Sequence, residues 1–236
     1  MFTIKGKGCE PAVNVQGFQK LTLLDFPGKT SCTVFCGGCN LRCPFCHNAT
    51  LVKTPFENKN NEDELFEYLE KRKGILDGVC ITGGEPLLQV GLKDFILRVK
   101  AMGYKIKLDT NGALPKRLKE IIGLVDYVAM DIKAGFDNYA LATGSDADTE
   151  LFKESIYIIK ESGIDHEFRT TLVKGLHTEA DVKAITEHIR GEKKYFLQKF
   201  KDSGNLLGEG EGFSEEEYLE LLETARKIIP ETEIRG

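Results

Sequence analysis

Five of the chain's seven cysteines, Cys32, Cys36, Cys39, Cys43 and Cys46, fall within fifteen residues, with Cys9 and Cys80 standing apart. An odd, crowded set of this kind is not a disulfide framework; in a reducing compartment it points to a metal or redox site. The densest part is CNLRCPFC at 39–46, where the spacing Cys-x3-Cys-x2-Cys puts three thiols on one short loop. Three thiolates can hold three irons of a cubane cluster and leave the fourth iron open to a substrate or cofactor. Two plainer readings stay open on spacing alone. Cys36, Cys39, Cys43 and Cys46 could close a structural zinc site, or the thiols could simply be buried.

Three further polar groups carry chemistry. Gly83-Gly84-Glu85-Pro86 combines glycines that let a backbone approach a ligand closely with a carboxylate that can only accept hydrogen bonds, as an ammonium requires. Asp109-Thr110-Asn111-Gly112 offers hard oxygens suited to a cation, or alternatively an Asx-type turn. Asp131 and Lys133 form a third pair. Glu85 could also be a surface acid in a turn, and Lys133 a solvated strand-end lysine.

These groups are positioned by an alternating pattern of elements. Strands are expected at 30–35, 76–82, 104–109, 127–132, 165–173 and 194–198, and helices at 62–73, 91–102, 114–122, 150–162, 179–190 and 214–229. Thr178 reads as an N-cap, Ser214 with Glu217 as a capping box, and Gly163 as the residue closing a helix. Strand–helix alternation implies a parallel sheet, and six units fall short of the full eightfold barrel. The expectation is an α/β fold, a partial (β/α)6 TIM-type barrel open on one side, with residues 1–236 as a single domain. In such a fold the loops at the strands' C-terminal ends form the active face. The cysteine loop, the GGEP turn, the DTNG turn and the Asp131–Lys133 pair all follow strands, so the fold would bring them together. The glycine-rich stretch 202–212 reads as a mobile loop at the rim.

Composition narrows the partners. A formal net charge of −5 argues against broad nucleic-acid or anionic-membrane binding. No run approaches the roughly 20 apolar residues needed to span a bilayer, and residues 1–18 lack the apolar core of a secretory signal, so a cytoplasmic protein is expected.

CNLRCPFCHN together with TGGEP at 82–86 resembles the radical S-adenosylmethionine (SAM) superfamily. Residues 17–35, GFQKLTLLDFPGKTSCTVF, with Cys46-His47-Asn48, resemble the activating proteins of anaerobic ribonucleoside-triphosphate reductase. LDTNG at 108–112 and MDIK at 130–133 resemble glycyl-radical-enzyme activases more widely, including pyruvate formate-lyase activase. The resemblance implies that Cys39, Cys43 and Cys46 ligate a [4Fe–4S] cluster whose open iron binds SAM. Reduction would then cleave SAM to methionine and a 5′-deoxyadenosyl radical, which takes a hydrogen atom from a glycine of a partner glycyl radical enzyme. It further implies that Phe45 and His47 lie by the adenine and that Gly83, Gly84, Glu85 and Lys133 contact the cofactor. Asp109, Thr110 and Asp131 would lie at a monovalent-cation site, with a flavodoxin or ferredoxin-type protein as electron donor. Arg169 resembles another cofactor contact, or is an ordinary surface arginine. Residues 195–201 lack the histidine of the formate-lyase activase, so no role carries over there. With only Cys80 after Cys46, no second cluster is expected. The other function class is a small-molecule radical enzyme such as a 7-carboxy-7-deazaguanine synthase.

Overall fold

The computed structural model describes residues 13–53, 61–202 and 204–236. Cys9 and most of the segment read for a signal lie outside the described residues, as does Ser203 of the glycine-rich stretch. One sheet carries eight strands in chain order: β1 (Val15–Thr22), β2 (Ser31–Cys36), β3 (Gly78–Gly83), β4 (Lys105–Thr110), β5 (Tyr127–Asp131), β6 (Asp165–Leu172), β7 (Tyr195–Lys199) and β8 (Glu233–Arg235). From β2 to β8 all neighbours are parallel, and β1 runs antiparallel to β2. β1 and β8 do not pair, so the sheet stays open.

The six expected strands are β2 to β7. Two were not legible. β1 (VQGFQKLT) lacks clean apolar alternation because much of it is exposed at an edge and its register slips twice. β8 is a three-residue strand (EIR) with no fully buried residue to reveal it.

Helices cover the outer face: α1 (Ala49–Lys53), α2 (Glu62–Glu70), α3 (Leu92–Ala101), α4 (Pro115–Ile121), α5 (Tyr139–Thr143), α6 (Thr149–Glu161), α7 (Glu179–His188) and α8 (Glu215–Arg226). The longer ones start and end within a few residues of the sequence pattern, and they bury the expected stripes, such as Leu92, Phe95, Ile96 and Val99 of α3. Thr178 and Ser214 cap α7 and α8 through reciprocal side-chain bonds with Asp181 and Glu217, and Gly163 follows α6 in the left-handed conformation. Among the described residues no helix is long and apolar enough to cross a membrane.

Period-two alternation divides each central strand between two environments. Ile106, Leu108, Val128, Met130 and Phe168 are fully buried in the apolar core. The alternate positions Lys107, Asp109, Tyr127, Asp131, Glu167 and Arg169 share the opposite face. Register aligns them across strands: Lys107 faces Tyr127, and Asp131 faces Arg169. That face is therefore a ladder of charges leading to the strands' C-terminal ends.

Candidate active site

A cavity of about 250 Å³ lies at those ends. Its wall includes Cys39, Cys43, Phe45, Cys46 and His47 from the loop after β2, and Gly83 and Gly84 at the end of β3. Asp109, Thr110 and Asn111 at the end of β4, Asp131 and Lys133 at β5, and Arg169, Thr171 and Gln198 from β6 and β7 also line it. Residues up to 159 positions apart in the chain thus share one wall, as the strand-end argument expects.

The cysteine loop is held from several sides. Arg42 donates from Nη1 to the carbonyls of Cys39 and Leu41, at 2.7 and 2.8 Å, and folds the loop on itself. The amide of Arg42 donates to the carbonyl of Thr143, which ties the loop to the end of α5. The GGEP turn clamps its base: the amide of Gly84 donates to Cys36 O and that of Glu85 to Gly38 O, each at 2.8 Å. Gly84 must be glycine here, because a Cβ would overlap the carbonyl of Gly38. Gly83 has φ +113, and a Cβ there would lie 2.5 Å from backbone atoms of Cys36.

The glycine-rich stretch packs on the same loop. Gly208 donates its amide to Pro44 O at 2.8 Å and Asn205 donates to the Thr50 hydroxyl at 2.9 Å; just before the stretch, Phe200 stacks on His47 at 5.5 Å. Two of its described residues, Asn205 and Gly208, are thus tied to α1 and to the cysteine loop.

The three thiols fit an open cluster better than a single ion. Cys39, Cys43 and Cys46 line the cavity, whereas Cys36 is fully buried in β2 and does not. Cys36, the fourth candidate for a zinc site, thus does not share that wall. Among the described residues no three or more His, Cys, Asp or Glu side chains are arranged to hold one metal ion. A zinc with bonds of about 2.3 Å would pull its thiolates to within about 4 Å of each other, whereas a cubane assigns each thiolate to a different iron. Sγ of Cys39 accepts from Leu41 N at 3.4 Å and Asn111 Nδ2 at 3.7 Å, contacts of the kind that orient a thiolate ligand. Burial raises the thiol pKa of Cys43 to about 11 and raises that of Cys39, while the nearby Lys133 ammonium pulls both back down. Loading with iron must therefore expel protons.

Asp109 and Asp131 are not free oxygen donors. Arg169 Nε lies 2.8 Å from Asp131 Oδ1 and its Nη1 3.4 Å from Asp109 Oδ2. Lys133 Nζ lies 2.9 Å from Asp131 Oδ2, and Lys107 pairs with Asp109 Oδ1. Burial alone would raise both aspartates, but Arg169 and these lysines outweigh it and hold the carboxyls below their usual range. Burial likewise would lower Lys133, and Asp131 holds it above the usual lysine value. Arg169 is no surface arginine, being 13% exposed. The Asx turn belongs to Asn111, whose Oδ1 accepts from Ala113 N at 2.9 Å, and not to Asp109.

Glu85 is the one expected cofactor contact outside the cavity wall. It is 0% exposed, and its carboxylate accepts from Leu87 N at 3.0 Å, Thr110 Oγ1 at 2.9 Å and Asn111 N at 2.7 Å. It ties the GGEP turn to the DTNG turn. Thr171 and Gln198 are cavity residues that motif reading passed over, and Asn111 was read only as part of the DTNG group. Their places at the ends of β4, β6 and β7 were the available signal.

Burial raises the Glu85 carboxyl to about 7, against backbone and hydroxyl hydrogen bonds that lower it. A folded-state value above the unfolded one means that folding favours the protonated form. Its contribution to stability is therefore full below about pH 4.5, declines as pH rises, and levels off above about 7. The expected decline is at most about 3 kcal/mol. Denaturant unfolding of the cluster-free protein between those pH values should show this slope in the wild type and not in Glu85→Gln. The variant should also lose about 1–3 kcal/mol, because its amide cannot accept from all three donors.

The model of the radical SAM superfamily matches residues 33–189. This chain belongs to the radical SAM superfamily. It is a radical SAM enzyme, and the family implies a [4Fe–4S] cluster and SAM, which the three cavity thiols suit. A Methanocaldococcus jannaschii protein, provisionally named a glycyl-radical enzyme activating enzyme, is 33% identical over 94% of this chain and 95% of its own. The pyruvate formate-lyase-activating enzyme of Clostridium pasteurianum is 28% identical over 80% of this chain and 83% of its own. A 7-carboxy-7-deazaguanine synthase of Thermococcus kodakarensis is 31% identical over 58% of this chain and 61% of its own. A radical SAM methyltransferase from Sphaerobacter thermophilus shares the fold, with TM-score 0.72 and 18% identity over 91% of this chain and 68% of its own. The open parallel sheet is thus the family's partial barrel.

Proposed function

We propose that this radical SAM enzyme activates a glycyl radical enzyme, and that its partner is an anaerobic ribonucleoside-triphosphate reductase. The observation that carries the activase reading is the similarity to an activating enzyme along nearly the whole of both chains. The choice of reductase rests on residues 17–35 with the Cys46-His47-Asn48 sequence. When bound, the cluster supplies the electron that cleaves SAM, and the cofactor carries the radical chemistry. Cys39, Cys43 and Cys46 hold that cluster at the cavity wall. Gly83 and Gly84 would let the backbone approach the methionine end of SAM closely. Phe45 and His47 would lie by the adenine, as the resemblance implies, and Asp131 and Lys133 would offer their ion pair to the polar end. Glu85 acts here by holding the two turns in register. The barrel's open side leaves room for a glycine-bearing loop of a macromolecular substrate. The protein works in the cytoplasm as one domain, reduced by a flavodoxin or ferredoxin-type donor.

Incubating the reduced, SAM-loaded enzyme with such a reductase should produce a glycyl radical doublet in electron paramagnetic resonance, absent without either protein. The small-molecule reading draws on the partial match to the deazaguanine synthase. It gains if 5′-deoxyadenosine forms with a small substrate while no glycyl radical appears with any glycyl radical enzyme.

A further inference from the structure

Asp109 and Asp131 are where the activase resemblance puts a monovalent cation, and in this chain each of their four carboxylate oxygens already has a cationic side chain as partner. Asp131 accepts from Arg169 Nε at 2.8 Å on one oxygen and from Lys133 at 2.9 Å on the other. Asp109 accepts from Arg169 Nη1 at 3.4 Å on one oxygen and pairs with Lys107 on the other. The hydroxyl of Thr110, the third oxygen expected there, donates to Glu85 at 2.9 Å and accepts from Gly112 N at 3.1 Å. A hard cation needs several oxygens converging on one point, and here it would have to compete with three cationic side chains, Arg169, Lys133 and Lys107, already seated on those carboxylates.

The sheet register explains why an arginine fills the place. Asp131 and Arg169 are direct partners across β5 and β6. Asp109 stands on β4, on the same inner face, one strand beyond. A guanidinium is a planar fork, always charged, and can bond two carboxylates at once, which a lysine ammonium does less well. The fork is itself held from below. Glu167, two residues earlier on β6, lies 3.8 Å from Arg169 Nη1 and is anchored by Tyr127 at 3.0 Å and Arg235 at 3.2 Å. Arg169, at 13% exposure, also lines the cavity, so its charge faces the same space as the Asp131–Lys133 pair.

We propose that the Arg169 guanidinium is a built-in cation: it positions Asp109 and Asp131 in the way a bound metal ion would, and it makes SAM binding independent of sodium or potassium. The inference rests on the family's cofactor and not on the identity of the partner enzyme. The distinguishing readout is cation dependence, which a merely structural arginine would not move.

The dissociation constant of SAM is measured by equilibrium dialysis on the reconstituted protein. The solutions are tetramethylammonium, sodium and potassium chloride at one ionic strength. The wild type should differ by less than about twofold among the three salts. Arg169→Met should bind at least about tenfold more weakly in tetramethylammonium and recover in part with potassium or guanidinium. A wild type that loses tenfold or more in tetramethylammonium and regains it with sodium or potassium would overturn the proposal. So would an Arg169→Met protein that binds SAM like the wild type in every salt. If that variant does not fold, the wild-type series decides alone. It is joined by the unfolding midpoint of the cluster-free wild type, which should be the same in sodium and tetramethylammonium; a sodium-specific rise counts against the built-in cation.

Discussion

Cys39→Ser, Cys43→Ser and Cys46→Ser should each leave a protein that folds yet cleaves no SAM above background, while Cys36→Ser keeps most of the wild-type cleavage. The contrast follows from where the four thiols sit. The first three line the cavity on one loop. Cys36 lies in β2, is fully buried, and its backbone serves as the clamp for Gly84. Burial raises the Cys36 thiol, with the Glu85 carboxylate adding to the effect, as burial also raises Cys39 and Cys43; what sets Cys36 apart is that it lies off the cavity wall. Each of the other three variants removes one of only three protein bonds to the cluster, and an alcohol at that place does not replace a thiolate. Iron and sulfide content with visible absorbance, measured after anaerobic reconstitution, checks the set. If Cys36→Ser also lost its iron, the ligand assignment would be wrong.

Gly84→Ala should be almost as damaging, for a steric reason. The added Cβ would overlap the Gly38 carbonyl, the group that accepts from Glu85 N and seats the GGEP turn on the cysteine loop. Neither side of the contact is a flexible side chain, so the backbone itself must move. Overpacking of this kind costs about 1–3 kcal/mol, and the displacement falls at the cavity wall. Gly83→Ala adds to a similar clash a left-handed backbone that costs a non-glycine residue about 1–3 kcal/mol more. The expected result is a lower unfolding midpoint for both variants, with SAM affinity falling by more than the stability loss explains. A Gly84→Ala variant with wild-type affinity for SAM would show that the close approach of these turns does not matter.

The fold was legible where side-chain period reports burial. The central strands and the longer helices each bury one continuous stripe, and their caps and closing glycine declare themselves locally. β1 and β8 were hidden because edge strands need no apolar alternation. The cysteines, the GGEP turn and the strand-end aspartates were legible because their chemistry is specific to residue type. What could not be read was who bonds whom. Glu85 has the right type for an ammonium partner, yet the register of β3 and β4 places it beneath the amide of Asn111 and the hydroxyl of Thr110. Arg169 could be read as a cofactor contact or as an ordinary surface arginine until its pairing with Asp131 set it between two carboxylates. The glycine-rich stretch read as free because glycine signals conformational freedom, and nothing local announces its bonds to Pro44 and Thr50.

The most direct measurement is anaerobic reconstitution with iron and sulfide, then dithionite reduction with and without SAM, followed by electron paramagnetic resonance and product analysis. The account predicts a [4Fe–4S]+ signal that changes when SAM is added, together with 5′-deoxyadenosine. A protein that assembles no cluster, or one whose cluster is indifferent to SAM, would contradict it.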